Sequence, residues 1–263
     1  MYSFDKPKND PYFLRTLAKG LRVLEIMANA RQPLRLSEII KAAQSNTASI
    51  TRILHTLTEL GFVKRDKARG YHLTPKVLGL GYAGVTALGW RQVAHHFLEE
   101  LSESIKETVN MSVLEGSDIL YIARINQGPF LPFDLQLGSK LPVYCTSMGK
   151  AMLAFSPKPI VQKALEKTDF APLTHRTITS RKEYLSELEK VKEKGYAIND
   201  EELSVGLRSV AAPIKDQQGW AIAALNIAVP TKRYSRAEVE KKLAPLAIST
   251  SKEIEKAIQA MDV

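Results

Sequence analysis

The sequence predicts an α+β protein in two parts. An N-terminal winged helix-turn-helix is followed, after a connecting helix, by a larger unit in which helices flank an antiparallel sheet. Three observations lead there. Positive charge is concentrated at one end: residues 1–90 hold 14 Lys/Arg against 6 Asp/Glu, and the remaining residues hold 23 against 22. Within that basic third, three short helical patterns precede a basic hairpin. In the remainder, extended segments outnumber crossover helices and several neighbours are joined by tight turns, which favours antiparallel pairing. The expected divisions are 1–74, a linker helix at 75–90, and 91–263.

In the basic third, Leu17, Leu21 and Leu24, with Val23 and Met27 beside them, recur at helical spacing, and Gln32-Pro33 ends that helix. LRLSEIIKAA (34–43) is a short helix with Ser37 as its expected cap and Ile39, Ile40 and Ala43 facing inward. Gln44-Ser45-Asn46 is a polar break. A longer helix then runs from about Thr47 to about Leu60, with Ile50, Ile53, Leu54, Leu57 and Leu60 on one face. Its other face carries Ala48, Thr51, Arg52, His55 and Thr56. Small, hydroxyl and cationic side chains are what a helix in a major groove uses to meet base edges and phosphates. Gly61 stops the helix, and FVKRDKARGYHL (62–73) forms a hairpin with Lys64, Arg65, Lys67 and Arg69 around its tip. Such a wing touches phosphates or the minor groove. The candidate nucleic-acid contacts are Ser45, Thr47, Ala48, Ser49, Thr51, Arg52 and His55, with the four hairpin cations. Double-stranded DNA is the expected partner. The alternative is a three-helix interaction domain with a solvated charged loop.

PKVLGLGYAGVTALGW (75–90) has four glycines and no charge after Lys76, with Leu78, Tyr82 and Val85 at helical spacing. It reads as a linker helix, either buried or forming a dimer seam, with Trp90 anchoring its end. A helix follows over Val93–Ile105. Strands are expected at 109–114, 119–125 and 133–138, and helices at 157–166 and 180–194. GYAIND precedes an acidic loop, EELSVG, and RSVAAPI (208–214) pairs with WAIAALNIAVP (220–230). A terminal helix covers 235–260.

The segment LPVYCTSMGKAML (141–153) invites enzymatic readings, and each fails on spacing. A phosphate loop needs glycine where Tyr144 stands and a hydroxyl where Ala151 stands. A nucleophile elbow needs glycine at Cys145, and neither Cys145 nor Ser147 has a base linked to it by pattern. One cysteine and five scattered histidines offer no metal spacing. No enzyme activity, metal or cofactor is expected. What remains is a strand, LPVYC, turning into a helix capped by Thr146 or Ser147, whose first amides could seat a carboxylate. The N-terminus MYSFDKPKND has no apolar core and the chain no run of about 18 apolar residues, so neither signal peptide nor membrane span is expected and the protein is read as cytoplasmic.

The winged helix at 17–73, PKVLGLGYA, LGSKLPVYCTSMGKAMLA (137–154) and GYAINDEELSVGLRSVAAPI (195–214) together resemble IclR-type transcription regulators over nearly the whole chain. NMSVLEGSDILYIARI, YCTSMGK, GLRS and AALNIA are similar to the Pca/Pob-type subgroup, which governs aromatic-acid catabolism. The resemblance implies a GAF/PAS-like effector domain and a homodimer or homotetramer on palindromic promoter DNA. It also implies a small carboxylate effector such as protocatechuate, 4-hydroxybenzoate or β-ketoadipate. Carried over by position, the effector residues are Leu137, Ser147, Met148, Gly149, Asn199, Leu207, Ser209, Asn226 and Ala228. Members that bind small ketoacids have hydroxyl residues at the last two positions, from which Asn226 and Ala228 depart. Tyr144, Arg124 and Arg208 are added on chemical grounds, as a ring-stacking partner and two possible carboxylate partners.

Overall fold

The computed structural model describes residues 10–30, 32–66, 70–127, 135–166 and 168–261. The chain divides between Gly84 and Val85 into two compact units.

In the first unit, helix α1 (Arg15–Ala28) turns Val23 and Met27 into a small core. The helix is as expected, but its leucines face largely outward: Leu17 is 59% and Leu21 53% exposed, and Leu24 is only partly covered. Both stripes have helical spacing and lie on adjoining faces of one cylinder, so periodicity alone could not choose between them. Strand β1 (Leu34–Arg35) runs directly into α2 (Leu36–Ala43). Ser37 is therefore not the cap. The chain stays extended through Arg35, and the Arg35 amide donates to Glu38 Oε2 at 2.6 Å.

Helix α3 (Thr47–Glu59) is capped by Asn46, whose Oδ1 accepts from the Ser49 amide at 2.8 Å. Ile50, Ile53, Leu54 and Leu57 are buried as expected. Leu60 is not, at 51% exposed, because the helix ends before it and the chain turns through Gly61 at φ +73°. Strands β2 (Val63–Arg65) and β3 (Gly70–Leu73) form the antiparallel wing, which β1 joins to make the order β1-β3-β2. A two-residue strand carries no periodicity, so β1 had no sequence signal. Helix α4 (Lys76–Thr86) exposes Leu78, Leu80 and Tyr82.

In the second unit, α5 (Trp90–Ile105) begins at Trp90 rather than Val93, and Trp90 is part of that unit's core. Strands β4 (Thr108–Glu115) and β5 (Asp118–Ile125) form the expected hairpin. The strand expected over 133–138 is corrected. Residues 133 and 134 lie outside the described residues, 135–138 lead through a turn at Gly138 with φ +85°, and β6 is Lys140–Pro142. LPVYC is not one strand: Val143–Cys145 is a 3₁₀ turn leading to α6 (Ser147–Ala154). Helices α7 (Lys158–Glu166) and α8 (Arg181–Lys194) follow, then strands β7 (Ala197–Asp200), β8 (Leu207–Lys215) and β9 (Ala221–Pro230). The terminal helix is interrupted: α9 (Arg236–Glu238) passes through a π turn (Val239–Leu243) into α10 (Ala244–Gln259).

The six strands make one antiparallel sheet in the order β6-β5-β4-β9-β8-β7. Helices α5 and α10 pack on one face, and α6 and α8 on the other. A register shift positions the site. Asn110 pairs with Arg124 and Met111 with Ala123, but Ser112 pairs with Tyr121, leaving Ile122 as an extra residue. This bulge puts Tyr121 and Arg124 on the same face although they are three residues apart.

Candidate ligand cavity and nucleic-acid interface

Between the sheet and α6 lies a small polar cavity. Its floor is two adjacent cross-strand rows. Asn199, Ser209 and Ala228 stand opposite one another on β7, β8 and β9. Asn226, Asn110 and Arg124 stand opposite one another on β9, β4 and β5. Tyr121 reaches the same space through the bulge, Thr146 and Ser147 close it from the start of α6, and Leu135, Leu203 and Leu207 complete the walls.

The polar groups are tied together. Arg124 Nη1 donates to Asn110 Oδ1 at 2.9 Å, and Asn110 Nδ2 donates to Asn226 Oδ1 at 2.8 Å. The Ser147 and Ser209 hydroxyls share a 2.8 Å hydrogen bond, and the Glu202 amide donates to Asn199 Oδ1 at 2.9 Å. Burial pushes the Tyr121 phenol well above its ordinary pKa against the opposing pull of Arg124, so it stays a protonated donor. Arg124 is the only cation among the described residues lining the cavity. The internal space is about 20 Å³, enough for roughly one water-sized sphere.

Seven expected residues are thus brought together: Arg124, Ser147, Asn199, Leu207, Ser209, Asn226 and Ala228. Five are placed elsewhere. Leu137 is 56% exposed in the turn before Gly138, and Leu135 lines the cavity instead. Tyr144 is buried against Phe170, with ring centroids 5.3 Å apart, and its hydroxyl donates to the Ala171 carbonyl at 2.8 Å. Met148 lies in the core, its Sδ accepting from Ser112 Oγ at 3.2 Å.

Gly149 serves close packing: a Cβ there would sit 2.3 Å from the Val143 carbonyl oxygen. Its amide is already capped by Thr146 Oγ1 at 3.3 Å, and that of Lys150 bonds to the Thr146 carbonyl. The amides expected to seat a carboxylate are therefore largely used by the cap. Arg208 is held in an ion pair, Nε donating to Asp200 Oδ1 at 2.6 Å and Nη1 to the Tyr234 carbonyl at 2.5 Å. Asn110, Tyr121, Leu135 and Leu203 were not anticipated. An asparagine amid buried strand residues was a readable signal for Asn110; the bulge that presents Tyr121 left none.

On the first unit, Thr47, Ala48, Thr51, Arg52, His55 and Thr56 are all exposed along α3, with Ser45 and Ser49 half-buried at its start. Lys64 and Arg65 are exposed on the wing, and Arg65 stacks over Tyr71 at 5.5 Å. Lys67 and Arg69 lie outside the described residues. Lys76 was not anticipated as a cap: its Nζ donates to the Leu60 carbonyl at 2.7 Å, where α3 presents its negative end.

Comparison with known proteins decides what this pair of sites belongs to. Residues 16–67 match the IclR helix-turn-helix domain, and residues 83–256 match the family described as bacterial transcriptional regulator IclR C-terminal. The chain belongs to the IclR family. Among its IclR-type relatives, the Pca regulon regulatory protein of Pseudomonas putida is 35% identical over 246 residues, spanning 93% of this chain and 84% of that one. The p-hydroxybenzoate hydroxylase transcriptional activator of Acinetobacter baylyi is 30% identical over 247 residues, spanning 92% and 91%. The crystal structure of a transcriptional regulator from Rhodococcus sp. RHA1 superposes with a TM-score of 0.79 at 37% identity, covering 95% of this chain and 100% of that one.

This IclR-family chain is accordingly a DNA-binding transcriptional regulator and not an enzyme. Its buried sulfur fits that role. Burial pushes the Cys145 thiol up to about 12, so it carries no thiolate near neutral pH. No helix among the described residues is long and apolar enough to cross a membrane.

Proposed function

We propose that the cavity is the effector site of a regulator of aromatic-acid catabolism, taking protocatechuate, 4-hydroxybenzoate or β-ketoadipate as ligand. The observation that carries this reading is Arg124 at the cavity floor. A half-buried guanidinium beside Tyr121 and the Ser147–Ser209 pair offers a carboxylate a charged partner and a distal hydroxyl or carbonyl a second one. The names of the Pseudomonas and Acinetobacter relatives point to the same chemistry.

A benzene-sized ring needs a cavity of about 150 Å³, so binding widens the present space and moves Leu203 and Leu207 outward. That displacement is the differential contact through which a ligand shifts the equilibrium between sensor conformations. In this reading residues 1–74 bind DNA, 75–90 link and 91–263 sense and oligomerise, in the cytoplasm, as a homodimer or homotetramer. The α3 face from Thr47 to Thr56 enters the major groove, flanked by Ser45, while Lys64, Arg65, Lys67 and Arg69 hold phosphates.

Titration calorimetry of the full chain with the three acids tests the reading. At least one binds, and Arg124→Gln weakens it tenfold or more while promoter affinity without effector stays within twofold. Ser147→Ala weakens binding less. Failure of all three acids to bind, or an unchanged affinity in Arg124→Gln, refutes the site.

A further inference from the structure

We propose that Asn110 is a positioning residue that fixes which face of the Asn226 amide the cavity presents. It thereby makes the site a reader of acceptor oxygens, carboxylate or carbonyl, rather than of hydroxyl hydrogens. The inference rests on the cavity being the effector site.

The geometry behind it is a ladder across three adjacent strands. Arg124, Asn110 and Asn226 are direct partners in the antiparallel register of β5, β4 and β9, so their side chains share one face. A guanidinium has only donors, so the end of Asn110 that meets it must be the carbonyl oxygen. The 2.9 Å bond from Arg124 Nη1 to Asn110 Oδ1 has that polarity. Asn110 is then left with its amide nitrogen towards β9, where it donates to Asn226 Oδ1 at 2.8 Å. Asn226 has thereby used its acceptor, and its Nδ2 has no partner among the described residues while its side chain lines the cavity.

Turning Asn110 over would set donor against guanidinium and break both bonds, and turning Asn226 over would set donor against donor and break the second, with Asn110 1% and Asn226 5% exposed and little water to replace them. The orientation of Asn226 is therefore dictated two strands away by a charge that cannot accept. On the other side of the cavity the Ser147–Ser209 pair can donate or accept. The ligand class is an acid whose carboxylate or carbonyl faces Asn226 and Arg124 and whose hydroxyl meets the serines. A polyol lacking a carbonyl is a poor match.

The test uses the full chain and three probes: 4-hydroxybenzoate, its neutral acceptor analogue 4-hydroxybenzaldehyde, and the donor analogue 4-hydroxybenzyl alcohol. The wild type binds the aldehyde at least fivefold tighter than the alcohol. In Asn110→Asp the new side chain only accepts, so both Arg124 and Asn226 donate to it and Asn226 turns its oxygen into the cavity. The aldehyde-to-alcohol preference then inverts. Asn110→Leu removes the relay and brings the ratio towards one.

Independently, in the wild type labelled with ¹⁵N-asparagine, the Asn226 side-chain NH₂ signals, assigned by their loss in Asn226→Ser, shift on addition of 4-hydroxybenzoate. If the wild type binds the acid while both Asn110 variants keep the wild-type ratio, the relay is refuted and the effector site stands. If the wild type binds neither this acid nor the other two, both fall. Should the variants fail to fold, the wild-type NH₂ signals decide: a shift supports the relay, and none overturns it.

Discussion

Gly149 and Arg208 show how two residues expected to meet a ligand can have structural duties. Gly149 lets α6 descend onto the 3₁₀ turn, with Val143 backbone atoms at 2.3 and 2.5 Å from any added Cβ. Gly149→Ala is expected to cost about 1–3 kcal/mol through overpacking, read as a lowered urea midpoint with an unchanged slope. Arg208 meets the chain's own Asp200, which also pairs with Arg176 at 2.6 Å, so its charge is neutralised within the protein. Arg124 instead donates to Asn110, a neutral side chain that lies in the cavity.

At the scale of elements, one buried ion pair joins the start of α6 to the segment between β7 and β8. Lys150 Nζ lies 2.5 Å from Glu202 Oε1, with both side chains nearly out of solvent. Removing one member leaves an uncompensated buried charge. Lys150→Met or Glu202→Gln alone should therefore cost about 3–5 kcal/mol in chemical denaturation. The double variant should recover most of that loss, and failure to recover would show that the pair matters for more than charge balance. Helix α3 and the wing carry a different kind of prediction. Their exposed Arg52, Lys64 and Arg65 are suited to phosphates. The logarithm of promoter affinity should fall linearly with the logarithm of salt concentration, and Lys64→Ala should flatten that slope by about 1. An unchanged slope would remove Lys64 from the interface.

For the whole molecule, stability against pH carries a signature of the larger unit's packing. Glu107 is fully buried beside Arg233 Nη1 at 2.9 Å, and desolvation raises its pKa more than that cation lowers it. A carboxyl raised in the folded state binds its proton more tightly there than in the unfolded chain. Its stabilising effect is complete below the ordinary value of about 4.3 and is lost as pH rises through the folded value. Relative to Glu107→Gln, the wild type should therefore lose stability as pH rises above about 4, measured by urea unfolding across pH. A constant difference would mean that Glu107 titrates normally.

Much of this architecture was legible from residue order. The period of α3, the glycine that ends it, the basic hairpin and the strand pairs of the larger unit are local patterns, each set by backbone geometry and by which side chains must leave water. The Ser37 cap was misread because it depended on a distant partner: β3 recruits β1, which keeps the chain extended through Arg35. The strand expected at 133–138 gave way over 135–138 to the turn at Gly138, and periodicity left open which face of α1 turns inward, where Val23 meets the core.

The sequence by itself determined a basic winged helix and a separate larger unit, because charge segregation and periodicity are properties of the chain, while its resemblance to the IclR family, with Arg124 added on chemical grounds, named seven of the residues that meet in the cavity. Only the tertiary structure decided the rest. It withdrew Tyr144, Met148, Gly149 and Arg208 into packing, and it brought in Tyr121 through a bulge that breaks the two-residue alternation. It also set Asn110 between Arg124 and Asn226. The segments holding these three are far apart in sequence, so their juxtaposition exists only once the strands are in register, and with it the polarity that the cavity shows to a ligand.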